Sequence, residues 1–183
     1  MLVIFTSKGG QGKSSHSFSI AKDLEMPIIT NDTSIISNVY DDTRYIDKKM
    51  PIEKGTMYDL GGFTTRYITD ILDAADLVIV PVTADYNALL KGLEVIKYVG
   101  YKRCLVIANM IETKRDLEEI EEVIKNEYKK IKILPLKRSR AFKHGLENGK
   151  SIYDISSVGL GKHNYKSLRK QYKEIIKYIK ENL

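Results

Sequence analysis

A glycine-rich segment close to the first residue has the composition of a phosphate-binding loop. An apolar run over residues 2–6 leads directly into it, and a helical pattern begins near Lys13. Glycines let consecutive backbone N–H groups converge on an anion, and a helix start adds the positive end of its dipole. The alternative is a tight turn that binds nothing. We expect nucleotide contacts from Gly9, Gly10, Gln11, Gly12, Lys13, Ser14 and Ser15.

Two side chains of this loop have the chemistry of an ATP site. Lys13 would supply a positive charge for the β and γ phosphates, and the Ser14 hydroxyl is the expected Mg²⁺ ligand. The common loop pattern has glycine where Ser7 stands, and here an additional lysine, Lys8, follows at once. The segment therefore predicts ATP and Mg²⁺ as cofactors. The common loop pattern gives no role to the additional lysine, Lys8.

Two carboxylates follow predicted strands. Asp59 ends one apolar run, and Asp32 lies two residues past another. Ligands of parallel α/β sheets bind at the carboxyl ends of the strands, so we expect both carboxylates near the loop. Each has a structural alternative, because Asp59 is also placed to cap the following helix and Asp32 lies in an Asn-Asp-Thr-Ser segment typical of turns.

Short apolar runs alternate with longer stretches of helical spacing, which indicates βαβ units. The run over residues 77–82 is apolar on both faces, as expected where helices cover both sides of a sheet. We predict an α/β fold, a P-loop NTPase with a mainly parallel central sheet covered on both faces, in one domain over residues 1–183. At most a short extra element is expected in residues 31–57. Predicted strands are 2–6, 27–30, 56–60, 77–82, 104–109 and 132–136, and predicted helices are 13–24, 65–74, 87–99, 113–127 and about 165–181.

The charge of the chain is distributed unevenly. Residues 137–183 carry twelve Lys or Arg against four Asp or Glu, so the net charge of +6 comes from this last quarter. Nucleic acid or an anionic membrane is the expected partner there, with a solvated helix face as the alternative. Cys104 is the only cysteine, which excludes an internal disulfide and suits a reducing compartment. No apolar run approaches the roughly 18 residues of a membrane span, and we expect a cytoplasmic location.

The loop also carries a resemblance to a known family. The order Lys8-Gly9-Gly10-Gln11-Gly12-Lys13-Ser14 resembles the deviant Walker A box of the ParA/MinD/Soj ATPases. The length of the chain is similar to that of the small plasmid-partition ParA proteins. The resemblance implies that Lys8 reaches across a nucleotide-sandwich dimer to phosphates held by the other subunit. It makes Lys8, Lys13 and Asp32 the expected catalytic residues.

The resemblance assigns roles to other strand-end residues. Asp59 resembles the Walker B aspartate that holds Mg²⁺ through water, and Gly61 and Gly62 would let the backbone close on the γ-phosphate. Asn109 resembles an asparagine that reads the adenine edge, although an asparagine here is also a simple loop starter. Residues 135–149 resemble the segment that covers the base.

Asp32 matches the second acid of the family's Asp-x-Asp-Pro-Gln box. Such a residue orients or deprotonates the attacking water. The surrounding box is altered, which leaves open a module that binds nucleotide without turnover. Three of its residues are replaced here, by Thr30, Thr33 and Ser34.

The last predicted helix has an apolar stripe at three- and four-residue spacing. This spacing predicts packing against the sheet. Insertion into a bilayer, as by the tail of MinD-like proteins, is disfavoured because no polar spacer precedes the helix. A buried stripe would leave a basic face for duplex phosphates, read without sequence specificity. The stripe is Tyr165, Leu168, Tyr172, Ile175 and Ile179, and the expected DNA contacts are Lys166, Arg169, Lys170, Lys173 and Lys177.

These features predict a dimerising ATPase for plasmid or chromosome partition that binds DNA nonspecifically when ATP is bound. The resemblance further implies a homodimer with ATP, slow Mg-dependent hydrolysis, an adaptor of ParB or ParG type, and a nucleoid-associated location. The alternatives are a MinD-like membrane-surface ATPase and a P-loop metabolic enzyme of the same superfamily. The iron protein of nitrogenase is disfavoured because each subunit must donate two cysteines and only Cys104 is present.

Overall fold

The computed structural model describes residues 1–46, 48–61 and 66–183. Within these residues one sheet of seven parallel strands forms the centre of the molecule. Its strands are β1 (Leu2–Ile4), β2 (Ile28–Thr30), β3 (Thr43–Tyr45), β4 (Met57–Asp59), β5 (Leu77–Val82), β6 (Cys104–Ile111) and β7 (Lys132–Lys137). Across the sheet they follow the order β3-β2-β4-β1-β5-β6-β7. Strands β2 to β4 lie on one side of β1 and strands β5 to β7 on the other. The strand order therefore reverses at β1, and α/β proteins bind ligands at such a position.

Helices connect the strands and cover the sheet. The helix Lys114–Glu127 begins at a capping box, in which Thr113 and Asp116 each bond the backbone N–H of the other. The Asp85 carboxylate accepts from the Ala88 N–H at the start of the helix Tyr86–Val99. The helices are α1 (Lys13–Leu24), α2 (Ile36–Val39), α3 (Arg66–Ala74), α4 (Tyr86–Val99), α5 (Lys114–Glu127), α6 (Ala141–Glu147), α7 (Ile152–Ser157), α8 (Gly161–Asn164) and α9 (Lys166–Asn182).

Alternate side chains of each strand enter two separate cores. Val3 and Val78 point into the core formed with α3, α4 and α5. Leu2 and Ile79 point into the opposite core, formed with α1, α6, α7 and α9. Both faces of the central strands are therefore buried, which is why these strands are continuous apolar runs in the sequence.

The register of the three strands nearest the loop aligns their carboxyl ends. Asp59 at the end of β4 is paired with Ile4 on one side and with Thr30 on the other. The chain leaves β1 towards the phosphate-binding loop and leaves β2 towards Asp32. The sheet thus brings the loop and both predicted carboxylates to one edge.

The structure confirms the α/β fold with a parallel sheet covered on both faces. The bounds of α1 and β5 are as predicted, and the other predicted strands agree within two residues. Residue 65, the predicted start of the third helix, lies outside the described residues. Residues 31–57 contain two extra elements, α2 and β3, where at most one short element was expected. Both are too short for hydrophobic periodicity to reveal them.

The segment between β7 and α9 holds three short helices that the sequence analysis did not predict. These helices, α6, α7 and α8, have four to seven residues each and are too short to show a long apolar period. At the start of α7, Ser151 and Asp154 form a capping box. The predicted base-covering segment, residues 135–149, therefore consists of the end of β7, a turn and α6.

The apolar stripe of α9 is buried against the sheet, as predicted. Leu168, Tyr172, Ile175 and Ile179 are almost fully buried, and Tyr172 accepts a 3.1 Å hydrogen bond from the Ser19 hydroxyl of α1. The stripe is consequently not available to a lipid surface in this conformation. Among the helices of the described residues, none combines the length and apolar composition needed to cross a membrane.

Candidate functional site

The phosphate-binding loop adopts a conformation that depends on glycine. Gly10 and Gly12 have φ of 75° and 78°, in the left-handed region that other residues avoid. Gly12 is also the N-cap of α1 and has no side chain to bond the first N–H groups of that helix. These N–H groups remain available to an anion, as in other helix N-termini that bind phosphate. The loop lines a cavity of about 260 Å³ whose rim includes Asp32.

The two lysines of the loop are directed differently. Lys13 is 8% exposed, and its ammonium lies 3.4 Å from the backbone oxygen of Lys8, so it is enclosed by its own loop. Burial lowers the pKa of Lys13, while the charges of Asp59 and Asp32 oppose this shift. The Lys8 side chain is 40% exposed, and its ammonium lies 3.9 Å from the Asp85 carboxylate. Lys13 therefore faces the enclosed loop, whereas Lys8 faces outwards.

Asp59 has the surroundings expected of a carboxylate that organises a cation. Its side chain is fully buried, and Oδ1 accepts a 2.9 Å hydrogen bond from the Ser17 hydroxyl. Burial raises the pKa of Asp59 to about 6, against the hydrogen bonds of Ser14 and Ser17 and the charge of Lys13. The second oxygen, Oδ2, has no hydrogen-bond partner in the described residues. A hard cation with its water shell suits this oxygen and the Ser14 hydroxyl, so both predicted Mg²⁺ residues fit the group.

Asp32 lines the side of the cavity that follows β2, and Asn31 precedes it in the chain. The Asp32 side chain is exposed, and its backbone N–H bonds the Thr30 hydroxyl at 3.0 Å. Asn31 Oδ1 accepts a 2.7 Å hydrogen bond from the Gly61 N–H, which joins the β2 loop to the segment after Asp59. The sequence analysis overlooked this role of Asn31. Gly62, the second predicted glycine of that segment, lies outside the described residues.

A second cavity, of about 470 Å³, adjoins the loop at the carboxyl ends of β6 and β7. The Asn109 amide lies between the two cavities and donates a 2.8 Å hydrogen bond to the Gln11 carbonyl. One N–H of Asn109 thus holds the loop in place. Contact of this side chain with adenine stays a prediction. Other lining residues include Gly12, Ser15, Met110, Arg138, Arg140 and Phe142.

His16 also lines the second cavity, and the sequence analysis gave it no role. It is 2% exposed, and burial lowers its pKa to about 4, against the effect of the neighbouring Asn109 side chain. Apart from this interaction with Asn109, neither ring nitrogen forms a hydrogen bond of good geometry among the described residues. No sequence pattern singled out this histidine, because it occupies a helical position next to the loop where a core residue would equally fit.

The predicted DNA-binding residues lie on the outward face of α9. Lys166, Lys170, Lys173 and Lys177 are exposed, and Arg169 is half-buried. They are separate from the loop, since α9 packs against β7 and the helices beside it. The structure thus presents two sites on one molecule, a candidate nucleotide site at the strand ends and a basic helix face.

Comparisons with solved structures define the class of fold. An ATP complex of a variant McdA from Cyanothece matches with a TM-score of 0.68 at 16% identity, over 97% of this chain and 95% of that chain. A protein described as a plasmid partition protein from Borrelia burgdorferi, bound to AMPPNP, matches with a TM-score of 0.66 at 16% identity, over 97% of this chain and 98% of that chain. The cell division protein MinD from Aquifex aeolicus matches with a TM-score of 0.60 at 14% identity, over 94% of this chain and 96% of that chain.

These structures are ATPases of the ParA/MinD type, and the chain has their fold. No protein-family model and no curated protein matches its sequence. The likeness to the solved structures therefore identifies the fold, and the activity has to be argued from the residues of this chain.

Asp59→Asn should stabilise the nucleotide-free protein, and more so at neutral pH. The pKa of Asp59 is raised in the folded state, so the unfolded chain releases this proton first as pH rises through about 4. The resulting loss of stability is complete above about pH 6 and amounts to about 3 kcal/mol. Urea unfolding without nucleotide measures the unfolding free energy at pH 4.5 and 7.5. Asp59→Asn should increase this free energy mainly at pH 7.5.

Asp70→Asn, at an exposed position of α3, is the control and should change the unfolding free energy by less than about 0.5 kcal/mol at both pH values. An Asp59→Asn effect of equal size at both pH values would show that burial of the charge is not its cause.

Proposed function

We propose that this protein is an ATPase of the ParA type that dimerises when ATP is bound and then binds DNA nonspecifically. The observation that carries the proposal is the divergence of the two loop lysines. Lys13 is enclosed with Asp59 and Ser14 where the β and γ phosphates and Mg²⁺ would bind, whereas the Lys8 ammonium points away from that cavity. A lysine on a rigid phosphate loop that faces outwards is suited to the phosphates of a second subunit.

The catalytic contribution of the chain would be positioning and electrostatics. Bound Mg²⁺ would supply charge neutralisation between the phosphates. Lys13 would offset the charge that develops on the phosphoryl group, and Asp32 on the cavity rim would align the attacking water. The exposed Asp32 and the altered residues around it are consistent with slow hydrolysis.

The basic face of α9 favours a DNA-binding role over a membrane role. A membrane-surface ATPase of the MinD type needs a lipid-seeking apolar face. In this chain the apolar stripe of α9 is buried in the core, and mainly the charged face of the helix is exposed to solvent. Partition of a plasmid or chromosome with a ParB- or ParG-type adaptor is the role we propose for such a molecule, at the nucleoid.

ATP should convert the protein from monomer to dimer, and Lys8→Ala should prevent this without abolishing ATP binding. The physical reason is that Lys8 contributes to phosphates in the other subunit rather than to those in its own loop. Light scattering after size exclusion, with ADP, with ATP and with ATP plus DNA, measures the mass, and calorimetry measures ATP affinity.

Lys54→Ala is a matched control, because Lys54 is exposed just before β4, at the opposite edge of the sheet. If Lys8→Ala dimerises at the same ATP concentrations as the wild type, Lys8 does not act across the subunit interface. An ATP-independent monomer in the wild type would favour the metabolic-enzyme alternative or a binding module.

Asp32→Ala should reduce ATP hydrolysis by about 100-fold while ATP affinity stays close to that of the wild type. General-base or water-orienting groups contribute on this scale, and Asp32 lies on the rim rather than in the phosphate-binding part of the cavity. Phosphate release under saturating Mg·ATP measures the rate. Asp41→Ala, an exposed carboxylate between α2 and β3, should leave the rate unchanged. Undiminished hydrolysis in Asp32→Ala would exclude the catalytic role.

DNA affinity should fall steeply with salt, and the pair Lys170→Gln and Lys173→Gln should make the dependence shallower. Each lysine that no longer binds a phosphate lowers the slope of log K against log salt by about 0.9, so the slope of the double variant should be smaller by about 2. Fluorescence anisotropy with duplex DNA and ATP over a range of salt concentrations provides the measurement.

Lys129→Gln with Lys130→Gln changes the net charge equally at exposed positions before β7 and should leave the slope as in the wild type. Equal slopes for both double variants would place the DNA elsewhere on the surface. Sedimentation with anionic vesicles and ATP tests the membrane alternative in parallel.

A further inference from the structure

His16 has a buried hydrogen-bonding capacity that the protein does not use. Its side chain is 2% exposed, yet neither Nδ1 nor Nε2 forms a hydrogen bond of good geometry among the described residues. The Asn109 side chain interacts with the ring, but its amide nitrogen already donates to the Gln11 carbonyl. The His16 ring packs edge-to-face on Phe142, with 4.5 Å between ring centroids. Buried polar groups in native proteins are paired with protein, water or a ligand, so an imidazole in this state calls for a partner.

Two buried hydroxyl groups of the same helix have their partners within the protein. Ser17 donates to Asp59 at 2.9 Å. Ser19 donates to Tyr172 and accepts a 2.8 Å bond from the Ile152 N–H. If His16 were only a core residue of α1, a comparable internal partner would be expected. Its two unpaired nitrogens therefore set it apart from its neighbours.

The position of His16 indicates which part of a nucleotide it would meet. It lines the 470 Å³ cavity and is absent from the lining of the phosphate cavity. Gly12 and Ser15 line both cavities, so one ligand can extend from the loop into the second cavity. A Cβ on Gly12 would lie 3.3 Å from both His16 Nε2 and Asn109 Nδ2, which places both polar groups beside the junction.

We infer that His16 recognises the nucleoside half of the bound nucleotide through a hydrogen bond from its ring to the base or ribose. This inference rests on the proposed nucleotide site and deepens it. Phe142 and Met110 provide apolar surface in the same cavity, and the imidazole provides a donor and an acceptor beside them. His16 thereby distinguishes nucleotides from inorganic polyphosphate.

The test compares His16→Met with His16→Gln, because the two replacement side chains have nearly the same shape and only glutamine forms hydrogen bonds. We expect His16→Met to bind Mg·ATP about tenfold more weakly than the wild type and His16→Gln to stay within about threefold. Inorganic tripolyphosphate should bind all three proteins equally. Isothermal calorimetry measures each affinity, and Ser19→Ala controls for disturbance of α1.

ATP analogues identify the group that His16 contacts. If the wild type and His16→Met bind 2′-deoxy-ATP, 3′-deoxy-ATP or 7-deaza-ATP with equal affinity, the atom missing from that analogue is the partner. Equal ATP affinities of His16→Met and His16→Gln would overturn the inference, as would an equal loss of ATP and tripolyphosphate binding. A wild-type protein that binds neither ATP nor tripolyphosphate would instead overturn the proposed function.

Discussion

The first N–H groups of α1 have no side-chain cap, and the rest of the candidate site is arranged around these free donors. Gly12 caps the helix without a side chain, so the first N–H groups of α1 point into the loop with no protein acceptor from a cap. The left-handed conformations of Gly10 and Gly12 keep the chain close enough for these groups to converge. A polyphosphate satisfies them together with the charge of Lys13.

The carboxylate beneath the loop balances this positive region. Asp59 is fully buried, and its position at the end of β4 follows from the pairing of that strand with β1 and β2. Burial of a lone carboxylate is unfavourable, and the raised pKa of Asp59 shows that Ser17 and Lys13 compensate only in part. A cation held between this carboxylate and a phosphate would complete the compensation. Without such a cation, the buried charge of Asp59 lowers the stability of the folded protein.

At α9, one helix serves both the core and the surface. Its apolar stripe completes the core on one face of the sheet, and Tyr172 is further tied to α1 through Ser19. The helix that begins at the phosphate loop is therefore in direct contact with the helix that carries the basic face.

Some features of this protein can be predicted from the sequence because they depend on residues close together in the chain. The loop from Ser7 to Ser15, the bounds of α1 and the apolar strand β5 follow from residue types at fixed spacing, since glycine conformation and hydrophobic periodicity act over a few residues. The burial of the α9 stripe follows for the same reason. These features were sufficient to predict the fold class and the residues of the phosphate cavity.

Tertiary structure decided the contacts between residues distant in the chain. The bonds of Asn31 to Gly61 and of Asn109 to Gln11 span 30 and 98 positions, and no spacing rule links such pairs. The outward direction of Lys8 and the unpaired ring of His16 likewise depend on which side chains the packed sheet places beside them. The sequence determined which groups the chain has for binding phosphate. Only the fold determined which of these groups have a hydrogen-bond partner within the described residues and which do not.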